Sequence, residues 1–258
     1  MTVQRILQGK VAVVTGAGGG IGKATSLCLS QAGASVVIAE LNPETGKKAA
    51  ASIQEETQNP VVFVQTDVSQ SASIQAMVQA TVDKFGRLDI AVNNAGMHPD
   101  CKPIESLDEC SWSRLLATNL TGVALSMKWE LRQMIAQGQG GSILNMASGT
   151  VFRAQEGMAA YVAAKHGVIG LTQTAALENG RHGIRVNALA PGGVATELTM
   201  ATLEAMGRTE KQESSRTSLL ERFAQPHEVG QAVVWIVSDA ASYMTGSTIP
   251  LDAGMSVM

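Results

Sequence analysis

Hydrophobic positions along the chain fall into two alternating kinds of segment. Short apolar, β-branched runs occupy 10–15, 35–39, 61–65, 88–92, 142–146, 184–189 and 247–250. Between them lie longer stretches of helical pattern at about 20–32, 43–57, 70–85, 106–137, 158–182 and 226–238. Unbroken apolar strands are buried on both faces, and strands alternating with helices imply a parallel sheet covered on each side. The pattern therefore predicts an α/β fold, a doubly wound parallel sheet of about seven strands, in a single domain over 1–258. No repeat or low-complexity linker interrupts it. The stretch 193–225 departs from the alternation, with charges, several Thr and Ser, and scattered Met and Leu. Its length between a strand and a helix suggests a mobile lid over a site; the plainer alternative is a pair of surface helices.

The first strand, KVAVVT, runs into GAGGGIG at 16–22 and then into an amphipathic helix closed by Gly33. Strand, glycine turn and helix aim free backbone N–H groups and the positive helix end at a pyrophosphate. The spacing Gly16-x-x-x-Gly20-x-Gly22 departs from Gly-x-Gly-x-x-Gly. A bare glycine run reads as a flexible turn, but the flanking strand and helix favour a dinucleotide site.

Tyr161 and Lys165 stand four residues apart in YVAAK, and Ser148 lies thirteen residues before the tyrosine. Four residues place Tyr and Lys on one helix face. A phenol ionises near pH ~10 in water, and an ammonium nearby favours the phenolate. Bringing the phenol to about neutrality needs roughly three pKa units, or about 4 kcal/mol. One ammonium supplies part of that, so a second positive charge, such as an oxidised nicotinamide, is expected nearby. The spacing alone recurs by chance in surface helices; the glycine turn upstream is what raises it.

These pieces, with Asp67-Val68, NNAG at 93–96, Asn119, PGGVAT at 191–196 and TGSTIPLDAG at 245–254, resemble the short-chain dehydrogenase/reductase family over essentially the whole length. Each motif is short, and their order and spacing carry the specificity. The resemblance implies a Rossmann-type fold and an oxidoreductase interconverting a secondary alcohol and a ketone. It implies a cofactor site of Gly16, Gly19, Gly20, Ile21, Gly22, Glu40, Asp67, Val68, Asn93, Ala95, Gly96, Tyr161, Lys165, Pro191, Gly192, Val194 and Thr196. Asp67 and Val68 would bind adenine, Asn93, Ala95 and Gly96 would close around the adenosine, and Thr196 and Val194 would hold the carboxamide. Tyr161 would be the acid/base, Lys165 would lower its pKa and hold the ribose, and Ser148 would donate to the substrate oxygen. The Asn119 backbone would hold a water in a proton relay; an asparagine packed for structure is the alternative.

Charge argues the choice of cofactor. Glu40 ends the second strand, twenty-four residues after Gly16. An acidic residue there accepts from ribose hydroxyls and repels a 2′-phosphate. Relatives that use NADP often carry a basic residue where this chain has Gly19. The expectation is NAD.

The substrate is expected to meet Ser148, Gly149, Thr150, Val151, Phe152, Gln155, Met158, Tyr161 and Gly193, with Met97, Met200 and Met206 close by. These are mostly small or apolar, with Arg153 as the one conceivable grip for a carboxylate. An uncharged, apolar or cyclic alcohol follows, and the similarity is greatest to members acting on cyclic secondary alcohols or diols. An NAD-binding sensor without turnover is the competing class, disfavoured by the complete Ser148–Tyr161–Lys165–Asn119 set. An isomerase using NAD transiently is a second, disfavoured by the lack of an added substrate domain. His166, His182 and His227 read as helix-surface or helix-end residues.

Composition narrows the partners. The 258 residues are 45% hydrophobic with a net charge of −3. That leaves no basic footprint for nucleic acid. Cys28, Cys101 and Cys110 suit reduced thiols in a cytoplasmic protein. A metal set with His98 and Asp100 is irregularly spaced, so a surface loop and no metal are expected. No run reaches the ~20 apolar residues of a membrane span, and no signal segment opens the chain. The helices at 106–137 and 158–182 are apolar or small on more than one face, at Ala159, Ala160, Ala163, Ala164, Val168 and Leu171. Such helices need burial beyond one sheet contact. Related enzymes pair subunits through them and through the C-terminal segment, which predicts a homotetramer; helices buried in the core of a monomer are the alternative.

Overall fold

The computed structural model describes residues 5–99 and 101–258. Seven strands form one parallel sheet in the order β3-β2-β1-β4-β5-β6-β7. They are β1 (Val11–Thr15), β2 (Ser35–Glu40), β3 (Val61–Gln65), β4 (Ile90–Asn93), β5 (Gly141–Met146), β6 (Ile184–Pro191) and β7 (Thr248–Leu251). Alternate residues of each strand feed opposite faces. Ala12, Val14, Val36, Ile38, Ile90 and Val92 pack with Leu29 of α1 (Gly20–Gln31), Ile53 of α2 (Pro43–Thr57) and Val229 and Val233 of α9 (Pro226–Val237). Val13, Val37, Ala91 and Ile143 pack on the other face with Ile74 of α3 (Ser71–Phe85), Met127 of α5 (Gly122–Gln137) and Val168 of α6 (Ala159–Asn179). Burial on both faces is why these strands read as continuous apolar runs.

Strand order reverses at β1, whose neighbours are β2 and β4. In an open α/β sheet the crevice beyond the strand C-termini at such a point is the natural ligand site. Most of the expected site residues lie at or just after the ends of β1 through β6, while Asn119 sits in a helical turn before Gly122 and Tyr161 and Lys165 on α6.

Two helical stretches differ from expectation. The pattern at 106–137 is broken into α4 (Glu109–Leu116), a π-helical turn at Ala117–Thr121, and α5. Asp108 sets the start, its carboxylate accepting from Ser111 N–H at 2.7 Å. The stretch 158–182 is α6 followed by a 3₁₀ turn at Gly180–His182. Segment 193–225 contains α7 (Glu197–Ala205) and α8 (Glu210–Thr217). Its ends are tied by a parallel bridge between Val194 and Ala224, with Ala195 N–H donating to Ala224 C=O and Ala224 N–H to Gly193 C=O, both at 2.9 Å.

Candidate active site

The glycine turn after β1 is shaped by close approach. A Cβ on Gly22 would strike the Gly16 carbonyl oxygen, and one on Gly16, itself at φ +62°, would lie 2.7 Å from Ala95 Cα. The turn is thus pressed against the loop after β4, and Asn94 locks the pair. Its amide donates to the carbonyls of Thr15 (2.9 Å) and Gly16 (3.1 Å). α1 begins at this turn with Gly19 as its first cap and no side-chain cap, so its leading N–H groups face the crevice. Glu40 is fixed at the end of β2: its carboxylate accepts from Gly18 N–H (3.0 Å) and Asn42 N–H (3.1 Å).

These loops enclose a groove of about 850 Å³. Every residue expected in the cofactor site lines it except Asn93. Asn93 is buried beneath the groove, where its amide donates to Glu130 and to Asn145, each at 3.0 Å, and Asn145 in turn donates to Thr172 at 2.9 Å. Strand alternation turns Asn93 into the α5–α6 side, and the neighbouring Asn94 reaches the groove instead. The repeated asparagine of NNAG was the signal available for that. Asp67 is partly committed to its own turn, accepting from Ser69 N–H (2.9 Å) and Ser69 hydroxyl (2.7 Å). Glycines without room for a Cβ, an uncapped helix N-terminus and a groove of this size fit a dinucleotide.

Ser148, Tyr161 and Lys165 meet at the end of the groove. Lys165, 4% exposed, donates from Nζ to the Met146 carbonyl at 2.7 Å and stands 5.5 Å from the centre of the Tyr161 ring. Burial draws its pKa down to about 8. Tyr161 is pushed up by burial, and the hydrogen bond with Ser148 opposes that rise. Lowering of the phenol by Lys165 was expected; in the structure the opposing partner is Ser148, while the ammonium is engaged with a backbone carbonyl. Asn119 is wholly buried in the π turn. Its side chain accepts from Met97 N–H (2.7 Å) and donates to Met97 C=O (3.0 Å), pinning the loop after β4. That packing role is the alternative weighed for it; a π turn in a helix beside a site is itself a frequent functional marker.

A second cavity of about 140 Å³ opens from the same Ser148 and Tyr161. Of the residues offered for the substrate, Gly149, Thr150, Gln155, Met158, Gly193 and Met206 line it. Val151, Phe152 and Met200 do not line it, and Met97 lines the groove instead. Arg153 is turned outward, donating to the Arg216 carbonyl at 3.3 Å, so it grips nothing in the cavity. Leu198, Leu203, Phe223 and Met255 supply apolar wall, and Glu213 supplies a carboxyl group. Sequence reading offered the lid as a whole but not these residues: Leu198, Leu203 and Glu213 come from α7 and α8, Phe223 from the stretch before α9 and Met255 from the chain end, which local pattern does not connect to Tyr161. The Thr150 hydroxyl is buried without a partner.

The remaining expectations are plain. His166, His182 and His227 are exposed and line neither cavity. Among the described residues no group of His, Cys, Asp or Glu is arranged to hold a metal, and the three cysteines form no disulfide. Asp100 lies outside the described residues. No described helix is long and apolar enough to cross a membrane.

Comparison with known proteins accords with this geometry. The family model described as "Enoyl-(Acyl carrier protein) reductase" matches residues 16–256. The short chain dehydrogenase/reductase astE of Aspergillus oryzae is 62% identical over 252 residues, covering 98% of this chain and 97% of that protein. The 2,5-dichloro-2,5-cyclohexadiene-1,4-diol dehydrogenase of Sphingobium indicum is 38% identical over 98% of this chain and 99% of its own. The crystal structure of NAD+-bound xylitol dehydrogenase superposes with a TM-score of 0.91 at 32% identity, covering 96% of this chain and 99% of that one. With the sheet order, the glycine turn and the Ser–Tyr–Lys cluster in place, the chain belongs to the short-chain dehydrogenase/reductase family of oxidoreductases.

Proposed function

We propose that this enzyme interconverts an uncharged, ring-borne secondary alcohol and its ketone using NAD, with Tyr161 as the acid/base. The observation that carries the reading is the meeting of Ser148, Tyr161 and Lys165 where the dinucleotide groove opens into a small, largely apolar cavity. Bound in the groove, NAD supplies the hydride acceptor and a positive charge. The chain supplies the rest. Tyr161 takes the hydroxyl proton in oxidation and returns it in reduction. Without substrate, the bond of Ser148 to the phenol opposes the effect of burial on Tyr161; with substrate bound, its single hydroxyl proton is donated to the substrate oxygen instead. Lys165 holds the ribose and keeps positive charge beside the phenol, and the Asn119 backbone serves the proton path to solvent.

Glu40 supports NAD over NADP, since its carboxylate is fixed by two backbone N–H groups where a 2′-phosphate would lie and Gly19 brings no counter-charge. For the substrate, an apolar cavity of about 150 Å³ accepts benzene, so about 140 Å³ suits one six-membered ring. The name of the Sphingobium indicum relative, a cyclohexadiene-diol dehydrogenase, supports a ring alcohol as well. Segment 193–225, hinged at its Val194–Ala224 neck, is the lid of this site. A panel of cyclic alcohols followed at the reduced-nicotinamide absorbance tests the reading. Net NADH formation upholds it; product without NADH means an isomerase, and cofactor binding alone means a sensor.

A further inference from the structure

Glu213 of α8 is the one carboxylate among the described residues lining the cavity beside Tyr161. Burying a charge is costly unless it is paired. Its pairing is one-sided: Oε2 accepts from Arg208 Nη1 at 3.1 Å and lies 4.0 Å from Arg216 Nη1, while no described donor reaches Oε1. The side chain is only 10% exposed, so bulk solvent does little to compensate. Nor is the carboxylate needed to start its helix. Thr209 and Gln212 already close the α8 N-terminus with a reciprocal capping box. Neither arginine lines the cavity. A substrate therefore meets a carboxylate oxygen with unused acceptor capacity and no cation on the wall.

We infer that Glu213 determines specificity, its Oε1 accepting a hydrogen bond from a substrate hydroxyl other than the one held by Ser148 and Tyr161. Ring substrates bearing a second hydroxyl, neutral diols or hydroxyketones, are then the preferred class, and ring carboxylates are repelled. The inference rests on the cyclic-alcohol reading of the site. A hydrogen bond to a charged acceptor in a shielded site is worth about tenfold or more in selectivity.

The test compares wild type, Glu213→Leu and Glu213→Gln on cyclohexanol, the isomeric cyclohexanediols and 4-hydroxycyclohexanecarboxylate. It uses steady-state kinetics and calorimetric titration with NAD+ present. Wild type should favour its best diol over cyclohexanol by about tenfold or more in kcat/KM, and that ratio should fall to about one in Glu213→Leu. Glu213→Gln keeps its one carbonyl oxygen for Arg208, puts a donor-only amide NH2 where Oε1 faces the cavity, and loses the charge. It should lower the diol preference, a charged acceptor having become a neutral donor, and gain about tenfold or more toward the carboxylate, an arm that decides the matter if the leucine variant fails to fold. A diol preference that is absent in wild type or survives in Glu213→Leu overturns the inference, as does a glutamine variant with no gain on the carboxylate. Failure of wild type to turn over any ring alcohol refutes the cyclic-alcohol reading itself. Glu213 is then decided by calorimetry: a diol bound more tightly than cyclohexanol only when Glu213 is present upholds its role, and equal binding overturns it.

Discussion

Tyr161→Phe removes one hydroxyl and leaves a half-buried ring packed in the cluster of Leu115, Ala160 and Ala164. Turnover should be abolished while NAD affinity, measured by titration, stays within about twofold, because only the proton-transfer group is lost. Ser148→Ala should fall short of abolition, at roughly 3 kcal/mol or about a hundredfold in kcat. A Tyr161→Phe enzyme retaining more than a small fraction of activity would place the base elsewhere. Glu40 offers a second contrast. The Gly19 backbone is extended at φ −160°, and a Cβ there meets open space, so an arginine can be carried without strain. Glu40→Ala with Gly19→Arg should move the kcat/KM ratio toward NADP, and a wild type that already favours NADP would sink the charge argument. Glu130 is a residue whose weight was not visible in the sequence, where it is one more helix carboxylate. It is fully buried, with one oxygen unpartnered and the other held by Asn93, and burial raises its pKa from 4.5 to about 7. Between those two values the native state holds a proton that the unfolded chain releases. Stability therefore falls as pH rises through that window and is level on either side, for about 3 kcal/mol in all. Glu130→Gln should flatten this profile, its gain over wild type appearing at pH 8 and fading by pH 5 in denaturant titrations. A wild-type profile that does not fall with pH would refute it.

The central strands were legible because they are buried on both faces, and a run such as VAVVT has little other use than the middle of a parallel sheet; the edge strands β3 and β7 are only partly buried. The long helical pattern at 106–137 hid its own interruption. Apolar spacing continues through Ala117–Thr121, and the π turn shows only in the backbone, where Gly122 N–H donates to the Ala117 carbonyl five residues back, with Asn119 tied to the distant Met97. Segment 193–225 was legible as a lid, with Met206 among its expected pocket residues, but not in detail. Which other apolar residues face the site, Leu198, Leu203 and Phe223, shows only when they are seen around one cavity. If this segment is a lid tied at the Val194–Ala224 neck, ligands should protect it. Trypsin cleavage after Arg208 and Lys211, in and beside the turn joining α7 to α8, should slow several-fold with NAD+ and a ring ketone together. Cleavage at an unchanged rate would make α7 and α8 fixed surface helices.

Across the whole molecule, the alternation of strands and helices implied a parallel sheet, whose strands bring most of the motifs to one edge; that the crevice lies at the β1–β4 reversal, reached by Tyr161 and Lys165 from α6, is visible only in the fold. Geometry added what spacing does not carry: which asparagine of NNAG faces the groove, and which carbonyl holds Lys165. For assembly the geometry corrects the choice of residues: Ala160, Ala164 and Val168, expected at a subunit contact, are buried inside the chain. Along α6, Ala163, Gly170 and Leu177 recur on one exposed face, and Leu177 is 86% exposed. Residues seven apart share a helix face, so these form a stripe that the single chain leaves uncovered. A Cβ on Gly170 would meet nothing within 4 Å in the subunit. Within one chain Gly170→Glu should therefore be harmless and, by removing a mid-helix glycine, stabilising by up to about 1 kcal/mol. Between paired α6 helices it would bury like charges against each other. Light scattering of the wild type should give about four times the 26.9 kDa chain mass, and Gly170→Glu should lower that multiple while circular dichroism stays native. A wild-type mass of one chain at micromolar concentration would reject the tetramer. An unchanged multiple in Gly170→Glu would show that the subunits pair through some other face.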